Sequence, residues 1–358
     1  MSETRSSITY SYDGPEMRDH VASLLERKQK HLGMGGADRI RRQHDSGKLT
    51  ARERIDLLFD EGSFFEQGLL AHHQSSSPAM QGKFTPADGV VTGVGKIEGR
   101  RVAVIAYDFT VMAGSMGMVT ELKATRIREI ALRERIPLVW LIDSAGARIQ
   151  EATGSMFART GDLFREQVVM SGVVPQVAAM MGPGAAGTAY IPGLADFVPM
   201  VKGTSNMALA GPHLVKAAVG EDVTAEEMGG SGVHCNVSGV GDLEVPDDRA
   251  CLEAVREYLS FFPSSNLEAP PAREVSDPVE RRTEELYDVV PANPRRAYDV
   301  HDVIRSLADD GDFFPMKPEW ARNVVTGFAR FGGRPAGVVA NQPKFLGGAL
   351  DVNAADKA

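Results

Sequence analysis

The sequence predicts an α/β fold built around a parallel sheet. Three observations carry this. Apolar, β-branched runs alternate with amphipathic helical stretches from Val90 to Val201. Two of those runs, Ile136–Ile142 and Val173–Met181, end in glycine- and alanine-rich turns, as buried parallel strands do. The 358 residues are about 43% hydrophobic, enough for a large core and more than one core comfortably holds, which argues for two domains.

In chain order, the start is charged and helical in period, over Met17–His31 and Gly36–Ser46. Leu49-Thr50-Ala51-Arg52-Glu53-Arg54-Ile55 follows, with Thr50 placed as an N-cap. From Val90 to Ile105, β-branched runs broken by Gly93, Gly95 and Gly99 read as a hairpin leading to Tyr107-Asp108-Phe109. Glu121–Arg135 then reads as helix, Ile136–Ile142 as strand, Gly154–Ser171 as helix and Val173–Met181 as strand. A further helix from Ala185 leads to a strand at Phe197–Val201, completing a βαβ pattern. Pro263–Pro294 is rich in proline and charge and reads as a linker. The expected organisation is a first domain over 1–262, a linker over 263–294 and an incomplete second domain over 295–358.

A net charge of −9 argues against a general nucleic-acid binder, while leaving room for a local basic patch that holds a phosphorylated ligand. The two cysteines, Cys235 and Cys251, build neither a disulfide framework nor a zinc site; no metal site and a reducing compartment are expected. No apolar stretch is long enough to span a bilayer and the first residues lack an apolar signal core, so a soluble protein is expected.

The chain also repeats itself. Val90-Val91-Thr92-Gly93 recurs as Val324-Val325-Thr326-Gly327, an offset of 234 positions that also aligns Gly99-Arg100 with Gly333-Arg334, Gly114 with Gly348 and Lys123 with Lys357. Glu61-Gly62-Ser63-Phe64-Phe65 echoes Asp310-Gly311-Asp312-Phe313-Phe314 at a slightly larger offset. The second copy stops before its counterparts of Ser144 and Gly187. It is expected to leave a sheet edge and the apolar faces of Val338, Val339 and Phe345 unpaired.

The chemistry is expected in the two turns, Asp143-Ser144-Ala145-Gly146-Ala147-Arg148-Ile149-Gln150 and Gly182-Pro183-Gly184-Ala185-Ala186-Gly187. Each turns from strand toward helix on small residues, aiming backbone N–H groups at a docked group. Such a turn stabilises an oxyanion with no charged side chain.

These turns, with Lys48-Leu49-Thr50-Ala51-Arg52-Glu53-Arg54 and Glu226-Glu227-Met228-Gly229-Gly230, resemble the carboxyltransferase (β) subunits of biotin-dependent acyl-CoA carboxylases, from about Leu24 onward. The resemblance implies two crotonase-like domains of ββα superhelix type, assembled as a hexamer, with each site between one subunit's first domain and a neighbour's second. It implies transfer of a carboxyl group from carboxybiotin to the α-carbon of an acyl-CoA through an enolate. The biotin rides on a separate carrier, and a biotin carboxylase/carrier (alpha) subunit is the partner. By resemblance, Ala186 and Gly187 form the acyl-CoA oxyanion hole, with Ala145 and Gly146 of the first turn beside them. Ala186 stands where relatives often have glycine, so a narrower acyl pocket is expected.

Ser144, Arg148, Ser115, Met116, Gly117, Gly184 and Ala185 are expected to shape the acyl-CoA channel, with a structural salt bridge as the equal alternative for Arg148. The Gly114-Ser115-Met116-Gly117-Met118 turn resembles the family's loop near the pantetheine arm. Propionyl-CoA is the favoured substrate, although Leu209–Lys216, with His213 and Lys216, resembles the methylcrotonyl-CoA branch. A bacterial-type cytoplasmic location is expected ahead of the mitochondrial matrix. Three rivals stand beside this reading. One is a crotonase-type hydratase or decarboxylase using Glu151; another is a non-catalytic truncated subunit. The third is nicotinamide binding, since Gly182, Gly184 and Gly187 spell G-x-G-x-x-G, but no acidic residue follows at Lys202–Met207. His234-Cys235 reads as a packed pair, not a nucleophile.

Overall fold

The structure, a computed structural model, describes residues 13–151 and 161–358. Helices α1 (Met17–Leu32), α2 (Ala37–Asp45) and α3 (Ala51–Leu58) lead in. Thr50 does cap α3: its hydroxyl accepts from the Glu53 amide while the Glu53 carboxylate reaches back to the Thr50 amide. One sheet then runs β1 (Phe65–Gln67), β2 (Val90–Ile97), β3 (Arg100–Tyr107), β4 (Leu138–Ser144), β5 (Gln176–Ala185), β6 (Pro199–Val201) and β8 (Leu243–Val245) in spatial order. β7 (Asn206–Ala208) pairs with the end of β5. The β2–β3 hairpin is antiparallel, whereas β3 to β8 pair in parallel.

Helices cover both faces. Val139 and Leu141 of β4 enter a core with α3 and a long helix over Asp248–Phe261, while Leu138, Trp140 and Ile142 face α4 (Met118–Glu134) and α5 (Asp162–Met170). A parallel strand buried on both faces has no polar side, which is why Leu138–Ile142 reads as a continuous apolar run. The helix expected over Gly154–Ser171 is described only from Gly161; its first part lies outside the described residues.

Two boundaries differ from expectation. β5 continues past Met181 to Ala185, because Pro183, Gly184 and Ala185 still pair with Asn206, Met207 and Ala208. The following helix is also short, a 3-10 turn over Ala186–Ala189 and then α6 (Tyr190–Gly193), since Pro192 and Gly193 do not favour continuation. Beyond it, α7 (Pro212–Val219) buries none of its residues. We call the Asp248–Phe261 helix α8.

The sequence repeat is a structural one. α9 (Val300–Leu307) stands where α3 stood, and β9 (Phe313–Met316), β10 (Val324–Phe331) and β11 (Arg334–Asn341) form a three-stranded antiparallel sheet equivalent to β1, β2 and β3. The hairpin registers match: Val90 faces Tyr107 and Val324 faces Asn341. Details recur as well. The Asp60 carboxylate accepts the amides of Glu98 and Gly99 at one hairpin turn, and Asp309 accepts those of Gly332 and Gly333 at the other. α10 (Val352–Lys357) repeats the start of α4. The second sheet packs on α8 through Phe314 and Phe328 against Tyr258, Phe261 and Phe262.

Residues 263–294 contain one short helix starting at Leu286 and no strand. Val338 packs toward Ile304 and Val325, and Arg322 lies 4.1 Å over the Phe345 ring, so of the three apolar residues expected uncovered only Val339, 61% exposed, is open.

Lys123 and Lys357 are repeat equivalents in chemistry also. The Lys123 ammonium donates to the carbonyls of Ala87 and Val90, and that of Lys357 to Trp320 and Ala321. Burial pushes both down to about 8. Between about pH 8 and the ordinary lysine range the unfolded chain holds protons that the folded one has shed, so this contribution to stability grows as pH rises through that window. Thermal melts from pH 7.5 to 9.5 should therefore show a less favourable pH slope for Lys123→Met than for the wild type. The opposing slope from the buried thiols is common to both proteins. Identical slopes would contradict the assignment.

Candidate functional site

β4 and β5 lie side by side and end together, with Ser144 opposite Gly184, so both small-residue turns leave the same end of the sheet. Crevices at the carboxyl ends of parallel strands are where α/β sheets bind ligands.

Asp143 anchors this end. Its fully buried carboxylate accepts from Lys48 at 2.9 and 3.1 Å, from the Gln43 amide at 2.8 Å and from Arg54 at 3.0 Å. Arg54 also donates to Asp248 at 2.8 Å and to the Met181 carbonyl at 3.1 Å, tying helices α3 and α8 to β5. Gly182 is required beside this hub, because a Cβ there would sit 2.0 Å from the Asp143 Oδ1. The Lys48–Arg54 motif thus works through packing beneath the site.

The first turn spends its donors on itself. The Ala145 amide donates to the Ala113 carbonyl at 2.9 Å, the Gly146 amide to the Ser144 hydroxyl at 3.1 Å and the Arg148 amide to the Met116 carbonyl at 2.8 Å. The expected free N–H groups of Ala145 and Gly146 are therefore corrected to occupied ones. Ser144 is likewise buried, its hydroxyl donating to the Gly114 carbonyl at 2.8 Å. Gly146 instead makes the two turns meet. Its φ is +87°, and a Cβ there would lie 2.5 Å from the Ala185 carbonyl oxygen and 3.2 Å from the Ala186 methyl.

The second turn keeps one donor. The Gly187 amide stands in the 3-10 turn ahead of its first bond and finds no carbonyl partner among the described residues, whereas the parallel pairing of Ala185 with Ala208 turns the Ala186 amide toward the Ala208 carbonyl, so the expected free N–H of Ala186 is corrected to an occupied one. Ala186 and Gly187, with Ala185, are half-buried and reach the surface. A Cβ on Gly187 would meet only the flexible end of Met116, at 2.8 Å; the space beyond is open. Ala186 has φ +50°, a left-handed conformation that costs a non-glycine residue about 1 kcal/mol. That strain is the physical reason glycine suits the position.

Arg148 is structural. Its guanidinium, wholly buried, pairs with Asp88 at 2.6 Å and Glu151 at 2.9 Å, and donates to the Ser115 carbonyl at 2.9 Å. Gly117 permits this, since a Cβ there would lie 2.4 Å from the Arg148 Nη1. The expected channel-lining roles of Arg148, Ser115, Gly117 and buried Gly184 are thereby corrected to supporting ones. Met116 is also buried, but its methyl reaches Gly187. Glu151 is committed too: its second oxygen accepts from the Met118 amide at 3.1 Å and its side chain is 4% exposed, which removes it as a pocket acid or base.

The remaining rivals fare no better. Gly182 and Gly184 lie inside strand β5 and not in a phosphate-binding turn. Burial pushes the Cys235 thiol up to about 12, and His234 is spent on the Met207 carbonyl and Ser238, as a packed pair requires. His213 and Lys216 lie on exposed α7, with Lys216 paired to Asp222.

Next to the first turn, a cavity of about 470 Å³ is lined by Arg39, Arg42, Lys48, Phe109, Met112 and Ala113, among others, with no carboxylate in its wall. Ala113 connects it to the site through its bond to Ala145. Asp88 and Asp248 escaped the sequence reading, because partners 60 to 194 positions apart leave no local signal, and so did the cavity-lining Arg39 and Arg42 of α2. Among the described residues, no group of His, Cys, Asp and Glu could hold a metal, and no helix is long and apolar enough to cross a membrane.

Comparison with known proteins agrees with this geometry. A family model described as the carboxyl transferase domain matches residues 42–358. The carboxyltransferase subunit of propionyl-CoA carboxylase from Haloferax mediterranei is 43% identical over 341 residues, covering 95% of this chain and 66% of that protein. The alpha subunit of methylmalonyl-CoA decarboxylase from Veillonella parvula is 41% identical over 341 residues, covering 95% of this chain and 67% of that protein. Transcarboxylase 12S, solved as a hexamer with methylmalonyl-CoA and methylmalonic acid bound, has a TM-score of 0.92 and 42% identity over 96% of this chain and 67% of its own. The chain thus spans about two thirds of the length of the relatives it matches.

Proposed function

From the fact that this chain belongs to the carboxyl transferase domain family, we propose that its two-turn end is the acyl-CoA half of a carboxyltransferase site. The observation that carries the reading is the uncommitted amide of Gly187, half-exposed at the start of a turn that Gly146 backs.

The thioester oxygen of an acyl-CoA docks on the Gly187 amide. Loss of the α-proton places negative charge on that oxygen as the enolate forms, and a preoriented amide holds it without reorganising. No side-chain base is needed at the turn, which fits the occupied state of Glu151. The cationic cavity takes the phosphates: Arg39 and Arg42 line it, and no carboxylate opposes them. The favoured substrate is propionyl-CoA. Carboxylation at its α-carbon yields methylmalonyl-CoA, so the names of the relatives describe the two sides of one transfer.

Carboxybiotin on a separate carrier supplies the carboxyl group. On this reading the biotin ring docks at the second repeat's counterpart of Gly187, which is not among residues 295–358. No step is assigned to it here. The partners proposed are a biotin carboxylase and carrier subunit and further copies in a hexamer.

The test is carboxylation of propionyl-CoA by the purified chain, supplied with biotinylated carrier, biotin carboxylase and a full-length relative. Methylmalonyl-CoA formed in proportion to this chain, above the relative alone, is the expected result. Hydration or decarboxylation of acyl-CoA without any dependence on biotin would overturn the reading in favour of a crotonase-type enzyme.

A further inference from the structure

Beside the second turn lies an aromatic pair with no assigned role. Phe164 of α5 meets Tyr190, the first residue of α6, edge to face with ring centroids 5.1 Å apart. Both are open to solvent, at 37% and 45%.

Their placement relative to Gly187 follows from helix geometry. In a 3-10 turn, residues three apart eclipse, and helical side chains lean toward the N-terminus. Tyr190 is three residues after Gly187, on the same side of the chain, and no atom of its ring lies within 4 Å of where a Gly187 Cβ would stand, which leaves a gap between them. On the acyl-CoA reading, the acyl chain of a thioester held by the Gly187 amide fits in this gap.

The pair is also held rigid. The buried Gln167 donates to the Ile191 carbonyl at 3.1 Å, fastening α5 to α6, and Gln176 donates to the Gln167 carbonyl at 3.1 Å, fastening α5 to β5. On the far side of α5, Glu166 is ion-paired with buried Arg128, which also holds Glu121. A wall fixed at three points selects by size, whereas a loose one adapts.

We propose that Tyr190, buttressed by Phe164, is the wall that limits the length of the acyl chain on the thioester. This rests on the acyl-CoA reading of the site and adds the residue that sets its chain-length preference. A hydrophobic pocket distinguishes substrates differing by a methylene by roughly 10- to 200-fold, so losing a ring from the wall should give a shift of about tenfold or more.

The experiment is calorimetric titration of the full chain with CoA, propionyl-CoA and hexanoyl-CoA, for wild type, Tyr190→Ala, Phe164→Ala and Tyr190→Phe. The wild type should prefer propionyl-CoA. Tyr190→Ala should move the propionyl-to-hexanoyl affinity ratio toward hexanoyl by about tenfold or more. Phe164→Ala should move it less and in the same direction, because Tyr190 remains but loses its support. Tyr190→Phe keeps the ring and should keep the ratio. Variants that bind CoA as the wild type does, with the ratio unchanged, would overturn the wall. A wild type that binds neither CoA nor its thioesters would overturn the acyl-CoA reading itself, and the wall with it.

Discussion

Replacing Asp143 by alanine should cost about 3–5 kcal/mol, the usual effect of leaving buried charges without their partner. Lys48 and Arg54 are both buried, and Asp143 is the carboxylate they share at 2.9 and 3.0 Å. Whole domains are stable by only about 5–15 kcal/mol, so the denaturant midpoint should fall sharply. Gly182→Ala reaches the same hub by another route, driving a methyl toward the Asp143 Oδ1, and should weaken the fold in the same direction. If Asp143→Ala does not fold, a double variant that also replaces Lys48 with methionine should recover part of the loss, since Lys48 then leaves no bare charge and Arg54 keeps Asp248 as its partner. A loss below about 1 kcal/mol for Asp143→Ala, typical of an exposed ion pair, would contradict the hub.

The second large effect concerns chemistry. Gly187→Pro removes one amide N–H near the start of a 3-10 turn, where no intrahelical bond is lost, and CoA binding reports whether left-handed Ala186 accommodates the ring. Carboxyl transfer should fall by about 10²- to 10³-fold, the cost of one lost oxyanion donor, while CoA itself still binds. Gly187→Ala keeps the N–H and pushes only on the mobile Met116 methyl, so its effect should be much smaller. Equal losses for the two variants would mean that bulk at this position matters and the amide does not.

Much of this architecture was legible in the sequence because it is written in local patterns. The buried strand Leu138–Ile142, the Thr50 cap and the Val90–Tyr107 hairpin each depend on neighbours a few positions away. The repeat was legible for the same reason, since Val324–Phe331 copies Val90–Ile97 in residue order and register. The long-range pairs were not. Asp88 and Arg148 are 60 positions apart, and nothing in Pro86-Ala87-Asp88-Gly89 announces a buried partner.

The division of labour between the two turns was equally hidden. Both sequences read as small-residue turns offering free amides. Which donors stay free depends on carbonyls brought in from elsewhere: Ala113 and the Ser144 hydroxyl take the first turn's amides, while nothing comparable reaches Gly187. The extension of β5 through Gly184 likewise depends on β7, whose three residues signal little by themselves.

The central claim is that the Gly187 amide holds the thioester oxygen. Isotope-edited infrared spectroscopy of propionyl-CoA carrying ¹³C at its thioester carbonyl measures this directly, because hydrogen bonds to the oxygen lower the carbonyl stretching frequency. The account predicts a shift to lower frequency on binding to the wild-type chain, largely lost in Gly187→Pro that still binds CoA. A bound thioester absorbing at the same frequency in both proteins would contradict it.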